Sequence, residues 1–544
     1  MDVISFGDQY YIKIYKKFKP LHIISMEHDR KKPAIYYFDD IITYEELISD
    51  SLILAEYLRE KNIRQGDRVA IYLQNIPQFA IVELATWMIG GIVVPLNIMF
   101  KSKELEFYLN DAKPKVFIGL EKEIEDNLLP IKEKTGLDVI ITTNSIDYLK
   151  TKIPKILENE KKTYPIGKEN DFREIIKSTN KKLENVHFSK PNDPALISYT
   201  SGITGLPKGA VNTHYNIIFA ANSYKEIVDL GKDDVTVAMV PLFHIGGNIS
   251  FLATSLYTGI PIILMYRFDP TEALRLIEKW KGTYSANPIT IYIALMNHPD
   301  FKNRDLKSFT KLGHGAMAAP APIIDMWEKL TGVYIHNSLG MTEATSIATV
   351  VPFDEKGPID NETNSLTVGK VLPGVELKII DPYERKELKT NEIGEIVIRG
   401  PLIINEYWNN KEETEKTLKD GWLRTGDLGK IDENGWIFFI DRVKDMIDSS
   451  GFKIWPREIE DIIYQHPAVK EVAVVGKPDK IKGEIPKAYI VLKNEYTGKV
   501  KEDDIVSFLK NQIASYKIPR EIEFVNELPK APVGKILKRE LKNK

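Results

Sequence analysis

Cysteine is absent from the chain. Disulfides, thiolate zinc sites and a nucleophilic protein thiol are thereby excluded, and any thioester chemistry has to import its sulfur. Single-sign charge is also missing: 74 Lys and Arg stand against 77 Asp and Glu, for a net charge of −3. That balance argues against nucleic acid or an anionic membrane surface as partner and in favour of a small-molecule enzyme. No apolar run approaches the ~18 residues of a membrane span. Met1 to Pro20 mixes Asp2, Asp8, Lys13, Lys16 and Lys17 with aromatics, so no signal peptide is expected and the reading is a cytoplasmic protein.

At 544 residues the chain is too long for one core, and several domains are expected. Thr43 with Glu46 forms a capping box ahead of an apolar pattern at helical spacing. A strand over Val69–Leu73, a helix over Pro77–Met88 and a strand over Ile92–Pro95 follow, then a helix near Ser102–Asn110 and strands over Val116–Gly119 and Val139–Thr142. This alternation predicts an α/β domain built on doubly wound parallel sheets. Leu149 to Lys182 reads as a solvated excursion. The α/β rhythm resumes with strands over Pro194–Ile197, Val235–Val240 and Pro261–Met265, and a helix over Pro270–Trp280. From Gly369 short β segments predict a small β subdomain, and after Arg442 a compact α+β unit is expected. The boundary is placed at Asp441 to Lys444, giving domains 1–441 and 442–544.

Ser198 to Gly209 reads Ser-Tyr-Thr-Ser-Gly-Ile-Thr-Gly-Leu-Pro-Lys-Gly. Gly202, Gly205 and Gly209 let backbone N–H groups approach an anion, Thr200, Ser201 and Thr204 add hydroxyls, and Lys208 adds a positive charge. Neither the Walker nor the Rossmann glycine pattern fits, because Lys208 precedes Gly209 and the glycine spacing differs. A phosphate loop of another kind is one reading; a glycine-rich turn after a strand is the other. Further on, Asn337-Ser-Leu-Gly-Met-Thr-Glu343 follows a strand read at Val333–Ile335. Its Gly340 allows close approach, while Thr342 and Glu343 offer a hydroxyl and a carboxylate suited to magnesium. A solvated glutamate after a turn is the alternative. Leu312-Gly-His-Gly-Ala316 looks like a dinucleotide glycine pattern, but Ala319-Pro-Ala-Pro322 breaks the helix that pattern needs. Asp427, in Thr425-Gly-Asp427, suits a ribose diol or a simple Asx-turn. His244, His314 and His336 have no metal-ligand spacing, so zinc is not expected.

These stretches, collinear from about Thr43 to Lys544, resemble the signature motifs of the adenylate-forming superfamily of acyl-CoA and aryl-CoA ligases, luciferases and peptide-synthetase adenylation domains. The loop resembles Tyr-Thr-Ser-Gly-Thr-Thr-Gly-x-Pro-Lys-Gly, with Ile203 in place of one threonine. Leu339-Gly-Met-Thr-Glu343 is similar to Tyr-Gly-x-Thr-Glu, with Leu339 where an aromatic commonly lies on adenine, and Asn337 heads the same stretch. The resemblance implies that Gly315 and Ala316 line adenine and acyl pockets beside His314, that Asp427 and Arg442 hold the nucleotide, and that Lys444 is a hinge between the domains. It further implies that Gly451 leaves room for a pantetheine arm and that Lys535, in the terminal Gly-Lys motif, serves catalysis, with Lys538, Arg539, Lys542 and Lys544 left as an exposed basic tail.

The implied activity is an AMP-forming acid–CoA ligase using ATP, Mg²⁺ on Glu343 and coenzyme A, acting through an acyl-adenylate. Lys535 would neutralise charge in the first half-reaction. His244 resembles a gate between acyl pocket and thiol tunnel, its other reading being a packed strand-end histidine. Phe243, Ile245, Gly246, Gly247, His314 and Gly340 are expected to form the acyl wall, with glycine at 340 leaving the pocket deep enough for short-to-medium, hydroxylated or aryl acids. The chain ends nine residues after Lys535, which favours free CoA over a fused carrier domain. A carrier-loading amino-acid or aryl-acid adenylation enzyme and a degenerate nucleotide sensor are the rival readings. An amino-acid pocket would want a carboxylate for the ammonium, and none occurs between Pro241 and Asp269, while retention of Glu343, Asp427 and Lys535 argues against a sensor. A homodimer is compatible with all of this.

Overall fold

In a computed structural model of the chain, residues 16–200, 207–315, 320–363, 365–443, 445–449, 452–479, 482–510, 512–530 and 536–542 are described. Local chemistry sets the first elements. Thr43 accepts a hydrogen bond from the Glu46 N–H at 3.2 Å and donates its own N–H to the Glu46 carboxylate at 2.9 Å. This reciprocal cap, worth about 1 kcal/mol, starts helix Tyr44–Glu60. Pro77 starts helix Pro77–Met88, all 12 residues of which are buried. A helix apolar on every side has to be enclosed on every side, and this one packs against helix Tyr44–Glu60 and strands of the sheet beside it.

That sheet has six strands in the order Val139–Thr143, Val116–Leu120, Arg68–Tyr72, Ile92–Pro95, Pro194–Tyr199 and Gly209–Thr213. All neighbours are parallel except the last pair. A nine-stranded sheet has a parallel centre formed by Ile335–Leu339, Lys311–His314, Tyr284–Asn287, Thr236–Val237, Ile262–Leu264 and Pro33–Tyr37, with antiparallel strands at both flanks. The parallel winding expected from the sequence is therefore present, with antiparallel strands added at one edge of the six-stranded sheet and at both edges of the nine-stranded one. The expected β subdomain is a five-stranded antiparallel sheet that includes Glu376–Ile380, Gly394–Arg399, Trp422–Ile431 and Ile437–Arg442.

The remaining sheet has its own cores. Strands Val469–Asp479 and Gly483–Leu492 pair antiparallel and alternate faces over 472–475 and 488–491. Val472, Val474, Ala488 and Ile490 enter one apolar cluster, while Ala473, Val475, Tyr489 and Val491 enter another with Leu528 and Leu541. Helices Pro456–Ile463 and Glu502–Lys510 bury residues in the first cluster, and helix Lys538–Lys542 in the second, as a period-2 pattern with two apolar faces requires. Among the described residues no helix is long and apolar enough to cross a membrane.

Two sequence expectations change. The excursion from Leu149 to Lys182 contains helix Phe172–Ser178, with Phe172, Ile175 and Ile176 buried and Asp171 as its cap. Lys162 pins it by pairing with Asp147 at 2.6 Å and Asp171 at 3.0 Å. The strand read at Val333–Ile335 instead runs over Ile335–Leu339. Its polar His-Asn-Ser stretch is tolerated because tertiary partners take up its hydrogen bonds: Asn337 donates to Thr367 O at 2.8 Å and Ser338 to His314 O at 2.6 Å.

Candidate active site

The glycine-rich stretch connects two antiparallel strands, Pro194–Tyr199 and Gly209–Thr213, and helix His214–Ile227 follows only after the second strand. This is a hairpin, not the strand-loop-helix of a Walker site. Its base is closed by the Thr200 N–H donating to Lys208 O at 2.9 Å. Ser201, Gly202, Ile203, Thr204 and Gly205 lie outside the described residues. Gly209 is glycine because a Cβ there would meet Ile197 Cγ2 at 2.7 Å and Trp408 Cβ at 3.3 Å.

Segment 401–408 brings the remaining groups together. Trp408 N donates to Gly209 O at 2.7 Å, Val211 N to Glu406 O at 3.1 Å and Ile404 N to Glu343 O at 3.0 Å. Tyr407 thereby sits between two predicted motifs. Its hydroxyl donates to Glu343 Oε1 at 2.7 Å, and Lys208 Nζ lies over its ring, 5.4 Å from the centroid. Burial, then the Glu343 carboxylate, push the Tyr407 hydroxyl well above its ordinary pKa, so it remains a donor. Lys208 forms an ion pair with Glu413 on helix Lys411–Thr417. Thr342 is fixed through its carbonyl, which accepts from Asn212 Nδ2 at 3.3 Å.

Asp427 and Arg442 face each other across neighbouring strands. Arg442 Nε lies 3.0 Å from Asp427 Oδ1, with the Asp427 side chain only 2% exposed. That oxygen nevertheless accepts no well-directed hydrogen bond among the described residues, which leaves it suited to a hydroxyl. The Arg442 guanidinium is held charged first by Asp427 against the cost of burial, with Asp445 and Glu343 adding to the effect.

Asn337 is buried with its amide committed to Thr367 O and its Oδ1 accepting from Ser338 N at 3.0 Å. Leu339 is half-buried at the strand end, and Gly315 lies beside Ser338, whose Oγ a Cβ would meet at 3.0 Å. His314 is fully enclosed, its Nδ1 3.0 Å from Asn287 O. His244 accepts from Gly246 N at 3.1 Å and caps the short helix Ile245–Gly247. Asn248, next along, donates to the fully buried Glu83 at 2.7 Å.

Two glycines require correction. A Cβ on Gly340 would fall 1.5 Å from Ser346 O, and one on Gly247 would fall 2.2 Å from Pro241 O. Both are glycine because backbone passes directly against them. Their being glycine is thus explained by packing and needs no open pocket beside them.

Lys444, Gly451, Lys535 and Ala316 lie outside the described residues. Around them, the Asp441 carboxylate accepts from Arg442 N at 2.8 Å and Arg457 N at 3.1 Å, tying strand Ile437–Arg442 to the start of helix Pro456–Ile463. Lys538 is not part of an exposed tail: it is half-buried and pairs with Glu460 at 2.7 Å. Sequence reasoning misses Tyr407, Glu413 and Glu460. The Tyr407-Trp408 pair in a polar stretch is the one signal that points toward them.

Residues 25–408 match the AMP-binding enzyme family, and residues 458–535 match the AMP-binding enzyme C-terminal domain. A long-chain-fatty-acid–CoA ligase of Bacillus subtilis (strain 168) is 34% identical over 520 residues, 94% of this chain and 91% of that protein. The solved structure of ATP-bound MatB from Rhodopseudomonas palustris superimposes with a TM-score of 0.84 at 27% identity, covering 96% of this chain and 98% of that one. An anthranilate CoA ligase, AuaEII, in complex with anthranoyl-AMP, superimposes with a TM-score of 0.85 at 27% identity over 97% of each chain.

Proposed function

The chain belongs to the AMP-binding enzyme family, and from that premise we propose that it is an ATP-dependent acid–CoA ligase of the cytoplasm. It converts short-to-medium or aryl carboxylic acids to acyl-CoA through an acyl-adenylate. The observation that carries this reading is the convergence on Tyr407, whose ring lies under Lys208 and whose hydroxyl holds Glu343. Lys208 belongs to the glycine-rich stretch, Glu343 to the second motif, and the Arg442 guanidinium is held charged by Asp427 first and Glu343 to a lesser degree. The residues we assign to phosphate, metal and ribose, Lys208, Glu343 and Asp427, come from three distant stretches of the chain. The related ligase holding anthranoyl-AMP supports the adenylate route.

In the first half-reaction the acid's carboxylate oxygen bonds to the α-phosphorus of ATP as the bond to the pyrophosphate oxygen breaks. In the second, the CoA sulfur bonds to the acyl carbon, AMP departs and the thiol proton is released. The protein contributes charge and position: Lys208 exchanges Glu413 for phosphate oxygens, Asp427 takes the ribose hydroxyls, and Lys535 neutralises the carboxylate as it approaches phosphorus. Among the described residues no cluster of three or more His, Asp or Glu exists to cage a metal. Glu343 with the ATP phosphates nonetheless fits Mg²⁺, which is commonly held by one or two carboxylates plus substrate phosphate. When bound, Mg²⁺ supplies charge neutralisation at the phosphates.

We divide the chain at residues 441 and 442, with Lys444 as the hinge by which the C-terminal unit exchanges Lys535 for the thiol passage. The test is ATP–pyrophosphate exchange over a panel of acids, followed by CoA-dependent AMP release. Acid-dependent exchange with thioester product is expected. Absence of exchange with every acid of the panel would favour a nucleotide sensor.

A further inference from the structure

Helix Pro77–Met88 buries a carboxyl that the proposed reaction does not use. Glu83, in the middle of that helix, is 0% exposed, as is Asn248 opposite it. The Glu83 Oε2 accepts from Asn248 Nδ2 at 2.7 Å. Its other oxygen, Oε1, has no hydrogen-bond partner among the described residues, and neither has Asn248 Oδ1. A carboxylate here would leave two unpaired acceptors on groups that already face each other, and native proteins rarely leave buried polar atoms so. One proton on Oε1 turns that oxygen into a donor. Donated to Asn248 Oδ1, it closes a ring of two hydrogen bonds between carboxylic acid and amide.

Asn248 opens the π-helix Asn248–Ala253, in which the Thr254 N–H reaches back to Ile249 O. Its own N–H donates to His244 O at 2.9 Å, and the His244 N–H donates to Pro241 O at 3.2 Å, so residues 241–248 form one closed turn. The segment around helix Pro77–Met88 holds that turn at both ends. Just before the helix, Asn75 donates to Val240 O at 2.9 Å and accepts from Leu242 N at 2.8 Å. Glu83 holds Asn248 at the other end. The turn follows strand Thr236–Val237, which runs parallel with Lys311–His314 and Ile335–Leu339 in the nine-stranded sheet. Segments leaving the carboxyl ends of parallel strands share the edge where ligands bind in such sheets. Here those segments carry His244, Gly315 and the stretch Gly340 to Glu343.

We propose that Glu83 is a positioning residue kept as the neutral acid, and that its ring with Asn248 fixes the turn bearing His244 until loss of the proton releases it. The proposal rests on the ligase reading and adds to it a switch at mildly alkaline pH. Burial raises the Glu83 pKa from 4.5 to about 8, against the opposing Asn248 bond. The ring is therefore intact below that pH and lost above it.

Among the described residues, no group on the elements packed against this helix bonds to Glu83 in place of Asn248. Helix Tyr44–Glu60 buries Tyr44 and Glu56, but Glu56 is paired with Arg59 at 2.6 Å and burial holds the Tyr44 hydroxyl protonated. On helix Leu21–Glu27, burial lowers the His22 pKa to about 4, and Glu27 is exposed and paired with Lys19. Burial also keeps His214, which lies beside Trp87, neutral. Strand Arg68–Tyr72 directs Arg68 to Ala112 O at 2.9 Å and Tyr72 to Phe100 O. Ile92–Pro95 and Asn248–Ala253 contain no titratable side chain.

The test compares the full chain as wild type, Glu83→Gln and Glu83→Met in CoA-dependent AMP release between about pH 7 and 9, well below the unfolding temperature. With a pKa of about 8, Glu83 is about nine-tenths protonated at the lower pH and about one-tenth at the higher. The ratio of wild type to Glu83→Gln in kcat/KM should therefore fall about tenfold over that span, while groups titrating alike in both, the CoA thiol included, cancel. Glutamine can make both bonds of the ring without a titrating proton and should match wild type at the lower pH. Methionine cannot make the ring and should stay about tenfold below glutamine at every pH. Infrared difference spectra should show a carboxylic acid carbonyl band that wild type loses over the same pH range and that both variants lack. A wild-type to glutamine ratio independent of pH, or a methionine variant as active as glutamine, overturns the inference and leaves the ligase reading standing. If neither variant folds, a wild-type spectrum that loses no carboxylic acid band over that range overturns it as well. No AMP release with any acid overturns the ligase reading and the inference with it.

Discussion

Replacing Tyr407 with phenylalanine isolates one hydrogen bond at the centre of the site. The ring is 3% exposed and packs with Ala210, Ile404 and Leu418, and phenylalanine preserves those contacts along with the aromatic face beneath Lys208. What disappears is the 2.7 Å bond to Glu343 Oε1. A hydrogen bond to a charged acceptor contributes about 1.5–3 kcal/mol, and ~1.4 kcal/mol corresponds to a factor of ten. If that bond orients Glu343 for Mg²⁺·ATP, its loss should raise the Mg²⁺ concentration needed for half-maximal pyrophosphate exchange roughly 10- to 100-fold, the usual cost of losing a group that orients a metal ligand. Saturating Mg²⁺ should restore most of the rate, and the KM for the acid at saturating Mg²⁺·ATP should not move. Titrating Mg²⁺ against initial exchange rate reads this directly. A folded Tyr407→Phe with the wild-type Mg²⁺ dependence would refute the role given to Glu343 and its tyrosine.

Lys535→Ala should abolish pyrophosphate exchange while thioester formation from supplied acyl-adenylate survives; equal loss of both in a folded variant would remove its assigned role. Lys444→Pro restricts its own φ and the backbone of Val443. Adenylation should persist and CoA transfer should fail, and normal thioester turnover by this variant would refute the hinge. Burial pushes the Glu83 carboxyl from 4.5 up to about 8, with the Asn248 hydrogen bond opposing. Because the folded value exceeds the unfolded one, the stability this group gives is complete below pH 4.5 and is lost as pH rises toward 8. Glu83→Gln should therefore gain melting temperature relative to wild type between pH 5 and 8; a difference independent of pH would contradict this.

Elements governed by neighbours in sequence are legible from the chain itself. The Thr43 and Glu46 cap, the Pro77 start of helix Pro77–Met88 and the Asp269-capped helix Pro270–Trp280 all depend on groups a few residues apart, and they fall where the pattern puts them. The polar strand Ile335–Leu339 escapes the pattern because its buried amide and hydroxyl are satisfied by Thr367 and His314, which no local window contains. Gly247 and Gly340 mislead for the same reason: the backbone that forbids a side chain at each comes from Pro241 and Ser346, and loop packing cannot be distinguished from an open pocket in sequence. Tyr407, 64 residues from Glu343, has no motif chemistry of its own. Lys538 reads as tail because its partner Glu460 lies on helix Pro456–Ile463, far back in the chain.

The acyl-adenylate route is tested most directly by following oxygen. With the substrate carboxylate labelled with ¹⁸O, a single turnover in the presence of ATP and CoA should transfer one labelled oxygen to the phosphate of AMP, because the carboxylate oxygen that bonds to the α-phosphorus leaves with it. Thioester formed with unlabelled AMP, or with ADP and labelled inorganic phosphate, would contradict that route.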